Sequence, residues 1–549
     1  MLLRKIHQTI IFFEVMKRSI FATALLVFCT LLTFGFAAPT DTIPPLMPPI
    51  PPLNHHLAPS IHLNRNEQLT LTNLVIFIRF ADDEEFTESI ESINQMFNDS
   101  TPYNVSVYNY YNTMTYGKIN YHTVYTNNIQ NSTIVSYQDI YPRAYFEPYS
   151  DTNPMGYEYN AIETDHSREY ELLGRVLQYV ESLHLVDNNI NLDGNNDGLI
   201  DNISFILKGD VGPWAGLLWP HMGFFNTYSA GLSDDIFING KIPCCYNFEF
   251  ANSGYYFSAN VFCHEMGHSL GIPDYYHYYD YGEIAPVGIW DQMAQNNMQQ
   301  VSAIIKHKFL GIVDEPIEIT EDGHYVLNSV TSSDHNNCYF IRSSIDPDQW
   351  FTFEYRNRDD FMENVPRSGV IIGRWYDNVD LNNLYDAGNG LFDFYEKPHT
   401  YWVFRPGSNI DTINGSINLA AFGIGARTSF GPTTNPHPFL TDGTPETSFE
   451  ITNIQYGGDQ ASFDVHFLNI GVPTFEKKVS HIYPNPVNNK LNISLDNVSR
   501  VEIFDLLGKI ILSETHPDSD INVSKLQQGV YIVKIYTDND CYTEKFIKK

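Results

Sequence analysis

The chain has 549 residues, which at about 150 residues per domain predicts three to four domains. It carries 65 acidic and 32 basic side chains, a formal net charge of −33, so it lacks the excess of Lys and Arg that binding to nucleic-acid phosphates or to anionic lipid requires. Hydrophobic residues make up 43% of the chain, which predicts folded domains, and six scattered cysteines exclude a dense disulfide framework.

The N-terminal region has the pattern of an export signal. Residues 19–36 form an uncharged apolar run directly after two basic residues, and small residues surround a cleavage point near Ala37. We therefore predict a signal peptide over residues 1–38, with Met16 as a second candidate for the start, and a Pro-rich linker over 39–68. The alternative is an N-terminal membrane anchor, since about 18 apolar residues just span a bilayer. No later stretch is apolar enough to span, so no stable transmembrane segment is expected after cleavage.

An α/β domain is predicted over residues 69–312. Residues 74–80 (LVIFIRF) and 203–207 (ISFIL) are continuous apolar runs of the kind that forms buried strands. Residues 163–183 carry leucine and valine at helical spacing. Strands and helices that alternate in this way are typical of an α/β sheet.

The remainder of the chain has the pattern of β structure. Short β-type runs such as 350–355 and 370–375 are separated by Gly, Asn, Asp and Pro, which predicts a β-rich accessory domain of the sandwich type over 313–472. A small β-sandwich is predicted over 480–549 from further short strands with turn residues between them.

The sequence HEMGH at positions 264–268 provides the residues of a candidate catalytic metal site. On a helix, His264 and His268 lie one turn apart on the same face, so both imidazoles can bind one metal ion. Glu265 then lies beside the metal without binding it, where it can take a proton from a water molecule that zinc activates. In a chain with 19 histidines, random order gives an HExxH about 0.03 times, so two unrelated surface histidines are a poor explanation.

The position of the third ligand follows from the turn after this helix. Gly271 can adopt the left-handed conformation that ends a helix, and Pro273 prevents its continuation, so the chain reverses. Asp274 stands ten residues after His264, where the HExxHxxGxxH pattern has its last histidine, and a carboxylate oxygen also binds zinc. The alternative third ligand is Glu283, which is the nearest acid in the region where a thermolysin-like site needs a glutamate.

The runs HEMGHSLGIPDYY and PVGIWDQM, at 264–276 and 286–293, resemble the immune inhibitor A family of secreted bacterial zinc metallopeptidases. The similarity covers roughly residues 70 to 300. It implies a metzincin-like α/β (α+β) fold and a zinc endopeptidase, with His264, His268 and Asp274 as zinc ligands and Glu265 as general base.

Three further residues bear on this site. Met293 is well placed for the methionine turn that underlies the metal in metzincins, although a lone methionine is more often core filler. Gln295 stands where several metzincins have a tyrosine, so no oxyanion stabiliser is assigned. His221 is able to polarise a substrate, but its more frequent role is structural, and we predict a structural role for it.

A second metal site is predicted in the sequence DGNNDGLID at 193–201. Oxygen ligands alternate around a glycine turn as in the first part of an EF-hand loop, which predicts a structural calcium ion. The candidate ligands are Asp193, Asn195, Asp197, Leu199 and Asp201, with Leu199 acting through its carbonyl oxygen. The twelfth position is Ser204 instead of glutamate, and the alternative is an Asx-rich turn.

The last seventy residues contain YPNP at 483–486, IFDLLGK at 503–509 and a G-x-Y sequence at 529–531 before a basic end. This order resembles the C-terminal sorting domain of the type IX secretion system of Bacteroidetes-type bacteria. The resemblance implies interaction with the outer-membrane secretion machinery and a location at the cell surface or outside the cell. The alternative is an immunoglobulin-like binding module.

Together these features predict a secreted zinc-dependent endopeptidase that hydrolyses peptide bonds of extracellular proteins and peptides. The alternative from another functional class is a surface adhesin or binding protein built on an inactive peptidase scaffold. The motif argues against loss of activity, because every one of its positions carries a residue able to perform its role.

Overall fold

The computed structural model describes residues 67–468 and 482–549. Short gaps interrupt these ranges at 128, 131, 159–164, 212–216, 226, 228–229, 252–256, 279–283, 380–386, 391–397, 424, 496, 506–507, 518–519 and 538–540. The predicted signal peptide and nearly all of the Pro-rich linker lie outside the described residues.

The N-terminal part of the described chain alternates strands and helices, as the sequence predicted. Its strands are β1 (Leu69–Arg79), β2 (Ile119–Tyr125), β3 (Ile129–Gln130), β4 (Thr133–Ile134), β5 (Tyr137–Gln138), β6 (Asn202–Leu207), β7 (His221–Phe224) and β8 (Cys245–Phe250). Its helices are α1 (Ile90–Asn98), α2 (Val107–Met114), α3 (Asp165–Ser182) and α4 (Ala259–His268). The strands predicted at 74–80 and 203–207 and the helix predicted at 163–183 are confirmed, with ends shifted by a few residues.

Six of these strands form one mixed sheet in the order β2-β1-β6-β8-β7, with β5 paired to the end of β1, while β3 and β4 pair only with each other. Strands β1, β2, β6 and β8 are parallel, and β7 runs antiparallel to β8 at the edge. Both faces of β1 are buried: Leu74 and Ile76 belong to the core that contains α3, and Val75 and Phe77 belong to the core that contains α4. A strand that is covered on both faces has apolar residues at successive positions, and this pattern made β1 recognisable in the sequence.

The β-rich segment begins after a short helix, α5 (Ala303–Ile305), that continues as a π-helical turn (Lys306–Leu310). Its strands are β9 (Ile317–Glu318), β10 (Gly323–Asn328), β11 (Tyr339–Arg342), β12 (Gln349–Arg356), β13 (Gly369–Tyr376), β14 (Tyr401–Val403), β15 (Phe449–Gly457) and β16 (Gln460–Phe467). They form two sheets, β14-β13-β12-β11-β9 and β10-β16-β15. Phe353 and Ile372 of the first sheet share one core with Phe463 of the second, so the segment is a sandwich.

The α/β part and the β-rich segment pack together in one compact unit that extends to Leu468. One continuous core includes Phe262 and Met266 of α4 together with Ile371 and Trp375 of β13. The strands of the β-rich segment are therefore in direct contact with the loops that follow α4, and this arrangement matters for the site described below.

The second compact unit begins at Asn469 and is described from residue 482. Its strands are β17 (Ile482–Tyr483), β18 (Lys490–Ile493), β19 (Val498–Phe504), β20 (Ile510–Thr515), β21 (Asp520–Asn522), β22 (Gly529–Thr537) and β23 (Cys541–Lys548). Two antiparallel sheets, β17-β18-β21 and β20-β19-β22-β23, enclose a core of their own, so the predicted small β-sandwich is present. In the described part of the chain, none of the helices has the length and apolar character needed to cross a membrane.

Candidate metal centre and active site

Helix α4 carries the HExxH sequence and is buried along nearly its whole length. Phe262 and Met266 pack into the core beneath it. At its C-terminal end the Ser269 hydroxyl donates a hydrogen bond to Asn202 Oδ1 on the central strand β6, at 2.7 Å. Gly271 then adopts a left-handed conformation with a φ of +85°, and the chain reverses as predicted. The helix is thus fixed against the sheet and ends where its sequence indicates.

Both histidines of α4 are oriented by hydrogen bonds from their Nδ1 atoms. His264 Nδ1 lies 2.9 Å from the carbonyl oxygen of Gln292, and His268 Nδ1 lies 2.7 Å from that of Ile272. A carbonyl oxygen only accepts, so each Nδ1 carries a hydrogen and donates it. A histidine held in this way presents Nε2 as its metal-binding atom.

Asp274 completes the convergence of donor atoms. Its Oδ1 lies 3.1 Å from His264 Nε2 and 3.3 Å from His268 Nε2, and all three side chains are buried. Burial by itself raises the pKa of Asp274, but the two imidazoles outweigh it and hold that pKa below its ordinary value. Burial lowers the pKa of His264, yet the close contact with the Asp274 carboxylate and the nearby Glu265 bring it to about 9. The three groups therefore interact strongly.

This donor set fits a metal ion. Zinc binds nitrogen and carboxylate oxygen at about 2.0–2.2 Å in a tetrahedron, which puts ligand atoms about 3.3 Å apart, close to the separations around Asp274. Although Asp274 Oδ1 is close to both imidazoles, it makes no hydrogen bond of good geometry with any described residue. A buried oxygen without a hydrogen bond, facing two oriented imidazole nitrogens, is the arrangement expected of a metal ligand.

Glu265 is buried, and its carboxylate lies close to the two histidines. The ligand atoms of His264, Glu265 and His268 all lie within 4.8 Å of one another. The carboxylate of Glu265 is therefore close enough to a metal at this site to exchange a proton with a water molecule there.

The turn that contains Met293 lies directly beneath α4. A methyl group added to Gly267 would lie only 2.7 Å from Met293 Sδ, so helix and turn are in close contact between the two histidines. The carbonyl of Gln292 orients His264, and the carbonyl of Met293 accepts a hydrogen bond from the Tyr275 backbone N–H at 2.8 Å. The context that the sequence suggested for Met293 is therefore present.

The structure shows that His221 makes structural contacts. Its Nδ1 lies 2.9 Å from the carbonyl oxygen of Trp219, and its Nε2 lies 3.1 Å from Glu169 Oε1. Both ring nitrogens are occupied inside the protein, which agrees with the structural role favoured from the sequence. The alternative zinc ligand Glu283 lies outside the described residues.

Two tyrosines after Asp274 belong to this site and were missed from the sequence. Tyr278 donates a hydrogen bond from its hydroxyl to Asp274 Oδ2 at 2.7 Å, which fixes the second oxygen of the carboxylate. Tyr276 packs beside the His264 ring, with 6.1 Å between ring centroids. The only sequence signal was the density of tyrosines after the motif, and such residues are also common in ordinary cores.

Glu249 on β8 is a third residue that sequence reasoning missed. It is fully buried, and neither carboxyl oxygen has a hydrogen-bond partner among the described residues. Burial, and then the neighbouring charge of Glu265, hold the pKa of Glu249 well above its ordinary value. The raised pKa favours the protonated form of Glu249. A single acid between two phenylalanines was the only sign of it in the sequence.

The predicted calcium loop has its oxygens engaged by other groups. Asp193 is fully buried, and its carboxylate accepts from the Lys241 ammonium at 2.6 Å and from the backbone N–H groups of Asp197 and Gly198. Asp201 Oδ2 accepts from two further backbone N–H groups. The Lys241 ammonium would therefore compete with a calcium ion for the Asp193 carboxylate. These contacts are those of the alternative, an Asx-rich turn.

Comparisons with known proteins address the family directly. Residues 233–302 match the profile of the immune inhibitor A peptidase M6 catalytic domain. Residues 481–549 match the profile of the secretion system C-terminal sorting domain. Both resemblances predicted from the sequence are thereby confirmed.

Individual relatives share only parts of the chain. Ulvan lyase NLR42 of Nonlabens ulvanivorans is 30% identical over 108 residues, which are 19% of this chain and 20% of the relative. A solved structure of PorZ, described as an essential bacterial surface component of the type-IX secretion system of Porphyromonas gingivalis, aligns at 11% identity and a TM-score of 0.12. That alignment covers 45% of this chain and 26% of PorZ, so neither relative carries an activity over to this chain.

The segment that contains the buried HExxH helix is thus similar to the M6 peptidase catalytic domain, and the C-terminal unit is similar to a type IX sorting domain, which indicates secretion to the cell surface or the extracellular space.

Proposed function

We propose that this protein is a secreted zinc-dependent endopeptidase that cleaves extracellular proteins and peptides. The observation that carries the proposal is the approach of His264 Nε2 and His268 Nε2 to the same oxygen, Asp274 Oδ1, at 3.1 and 3.3 Å in a buried site. Two nitrogens and one carboxylate oxygen are a donor set that zinc accepts while it keeps a fourth position open, as catalytic zinc sites do.

The residues around the site then have separate roles. A bound zinc ion supplies Lewis acidity, which polarises a carbonyl group and lowers the pKa of water. Glu265 acts as general base: it receives a proton from the attacking water and passes it to the leaving amine. The carbonyls of Gln292 and Ile272 keep the two imidazoles in the tautomer that leaves Nε2 free to bind metal.

The domain assignments belong to the same proposal. Residues 69–312 form the peptidase domain on a metzincin-like fold, for which the mixed sheet, the buried site helix and the methionine turn are the support. Residues 313–472 form the β-rich accessory domain, and 480–549 the sorting domain. A signal peptide over 1–38 and a linker over 39–68 would bring the chain to the periplasm before the sorting domain acts.

A digest of casein by the purified protein, with and without a chelator, tests the proposal. We expect one zinc ion per chain, hydrolysis in the untreated sample, loss of hydrolysis after chelation and its return on addition of zinc.

Glu265→Ala should keep zinc and lose activity by several decades, because the ligands remain while the proton acceptor is removed. Stoichiometric zinc without any hydrolysis would favour the adhesin alternative, and full activity of Glu265→Ala would exclude this mechanism.

A structural calcium ion at 193–201 stays a prediction. Such an ion would have to compete with the Lys241 ammonium for the Asp193 carboxylate. If calcium binds, it must displace the ammonium from Asp193, and adding calcium to the chelated protein would raise its melting temperature. The Asx-turn alternative predicts no change. Lys241→Ala serves as a control, because removing the ammonium would expose Asp193 and strengthen any response to calcium.

A further inference from the structure

We propose that Gly388 and Asn389, in the β-rich segment, position the metal ligand Asp274. This inference rests on the proposed function, in which Asp274 binds zinc. The two residues are far from the HExxH helix in the sequence, but the fold places them against the loop that carries the third ligand.

The ligand loop, residues 273–278, has no regular secondary structure to hold it. Helix α4 fixes the two histidines, whereas Asp274 lies beyond the reversal at Gly271. The loop therefore depends on contacts from outside. One comes from the methionine turn, through the hydrogen bond from the Tyr275 N–H to the Met293 carbonyl.

The other backbone contacts come from residues 388–390. The backbone N–H of Asn389 donates to the carbonyl oxygen of Asp274 at 2.8 Å. Four residues later in the ligand loop, the N–H of Tyr278 donates to the carbonyl of Gly390 at 3.0 Å. The segment thus holds the loop at Asp274 itself and at the tyrosine whose hydroxyl contacts the Asp274 carboxylate.

The side chain of Asn389 connects this segment to the sheet. It is fully buried, and its amide group donates to the carbonyls of Tyr275 at 3.3 Å and of Tyr401 at 2.7 Å. Its Oδ1 accepts from the Tyr401 N–H at 3.2 Å. Because Tyr401 belongs to β14, one amide side chain joins the ligand loop to a strand of the sandwich.

The close approach of the two backbones requires glycine at position 388. A methyl group there would lie well inside 3.0 Å of the Asp274 carbonyl oxygen and 2.9 Å from Pro273 Cβ. These are backbone and proline atoms, which cannot rotate away. The hydroxyl of Thr400 also donates to the carbonyl of Gly388 at 3.1 Å, which keeps the glycine in place. A side chain at 388 must therefore displace the ligand loop.

Displacement of the loop moves a metal ligand, so metal affinity is the property that should change. Loss of a partner that orients a ligand typically weakens metal binding by about 10–100-fold. We expect this loss for Gly388→Ala, and a loss near the lower end of that range for Asn389→Ala, because the backbone N–H that contacts Asp274 remains in the second variant.

The experiment measures the zinc dissociation constant of the full chain by competition with a chromophoric chelator. Gly457→Ala is the matched control for Gly388→Ala, because a methyl group at 457 in the same segment meets no atom within 4 Å. Asn337→Ala is the control for Asn389→Ala, because Asn337 is also buried and donates to a backbone carbonyl, at 2.9 Å from Ser333. Both controls should bind zinc within about twofold of the wild type.

Activity against zinc concentration gives a second readout. In the two test variants, the free zinc needed for half-maximal activity should rise by the same factor as the dissociation constant, while the KM for a peptide substrate stays unchanged. A general loss of stability would instead lower the melting temperature of the zinc-free protein without this shift in zinc requirement.

The outcomes separate this inference from the proposed function. If the wild type binds no zinc, or if Asp274→Ala binds it as tightly as the wild type, the proposed ligand set is wrong. If Asp274→Ala loses zinc while Gly388→Ala and Asn389→Ala bind it like their controls, only the positioning inference is wrong. If Gly388→Ala does not fold, Asn389→Ala decides by itself.

Discussion

Asp274 is the residue whose contacts say most about the metal site, because it meets both histidines through one oxygen and Tyr278 through the other. The two oxygens of the carboxylate therefore have different tasks. Oδ1 faces the two imidazoles where the metal is proposed to bind, and Oδ2 is held by a phenol. This division is the usual arrangement of a ligating carboxylate with an outer hydrogen bond.

We predict that Asp274→Ala lowers zinc affinity and activity together by several decades, because two imidazoles alone hold zinc far more weakly than three ligands. Asp274→His should be tolerated much better, since the turn at Gly271 and Pro273 already has the spacing that serves a histidine ligand in the HExxHxxGxxH pattern. Zinc content and turnover of both variants are the measurements.

A different result would follow if Asp274 only oriented the histidines. Asp274→Ala would then cost about 10–100-fold in affinity, and histidine would restore nothing. An alanine variant with full zinc affinity would exclude Asp274 as a ligand, and Glu283 would be the next residue to replace.

Glu249 provides a prediction about pH. A glutamate in the unfolded chain loses its proton near pH 4.3, but burial and Glu265 hold the pKa of Glu249 well above its ordinary value in the folded chain. Above pH 4.3 the folded state therefore binds more protons than the unfolded state, and stability falls as pH rises. Glu249→Gln removes this pH dependence. The free energy of unfolding of the variant, relative to the wild type, should therefore increase with pH by at most about 1.4 kcal/mol per pH unit. Urea unfolding between pH 4 and pH 8 measures it.

Glu446 is a control for Glu249, because its pKa is lowered instead of raised. Burial raises its pKa, but donors from Ser343, Ser448 and Ser344 outweigh burial and lower it. A depressed pKa contributes stability above the unfolded value, and this stability is lost as pH falls through the folded pKa. Glu446→Gln should therefore become more destabilising relative to the wild type as pH rises from acid. Parallel pH profiles for the two glutamine variants would contradict at least one of the two assignments, and profiles without a pH dependence would contradict both.

At the scale of elements, strand β12 supports the loop beneath the site through a buried arginine. Arg356 is fully buried and pairs with Glu354 at 3.1 Å and with Glu363 at 2.7 Å. It also donates to the carbonyl oxygens of Trp290, in the methionine turn, and Gln300. The turn is thus connected to the sandwich by a charged network that excludes water.

We predict that Arg356→Ala destabilises the protein by about 3–5 kcal/mol, because it leaves two carboxylates buried without their partner. Arg342→Ala is the matched control: Arg342 pairs with Glu318 at 3.1 Å, but both side chains are more than a third exposed, so the loss should stay below about 1 kcal/mol. Urea unfolding of both variants tests this. Equal effects would show that the buried network adds no stability beyond an exposed pair.

At the scale of the whole molecule, the sorting domain has its own core and forms a compact unit separate from the rest of the chain. Deletion of residues 480–549 should therefore leave a folded and active enzyme that accumulates in the periplasm. Cell fractionation followed by a casein assay on each fraction measures this. Normal appearance of the truncated protein in the medium would contradict the role of this domain in secretion.

The sequence was a good guide wherever the controlling pattern is local. The apolar run at 74–80 was recognisable as a strand because β1 is covered on both faces, and the leucine spacing at 163–183 identified α3 because that helix has one buried face. The change of pattern near residue 313 marks a change to β structure, and the core of α4 continues across it into β13.

The loop at 193–201 shows how one sequence pattern can serve two structures. Alternating Asp and Asn around a glycine suit a calcium loop and an Asx-rich turn equally well. Lys241, 48 residues after Asp193, contacts the buried carboxylate, and no local reading of the loop includes it.

The sequence by itself determined the chemistry of the candidate site: the i, i+4 spacing of His264 and His268 follows from helix geometry, and the glycine and proline after them dictate the reversal that brings Asp274 back. Only the tertiary structure decided what holds that arrangement in place. The contact between Asn389 and Tyr275 joins residues 114 apart, and Glu249 approaches α4 from a neighbouring strand. Helical and strand periodicities describe neighbours along the chain, whereas these partners are chosen by the packing of sheet, helix and sandwich around a shared core.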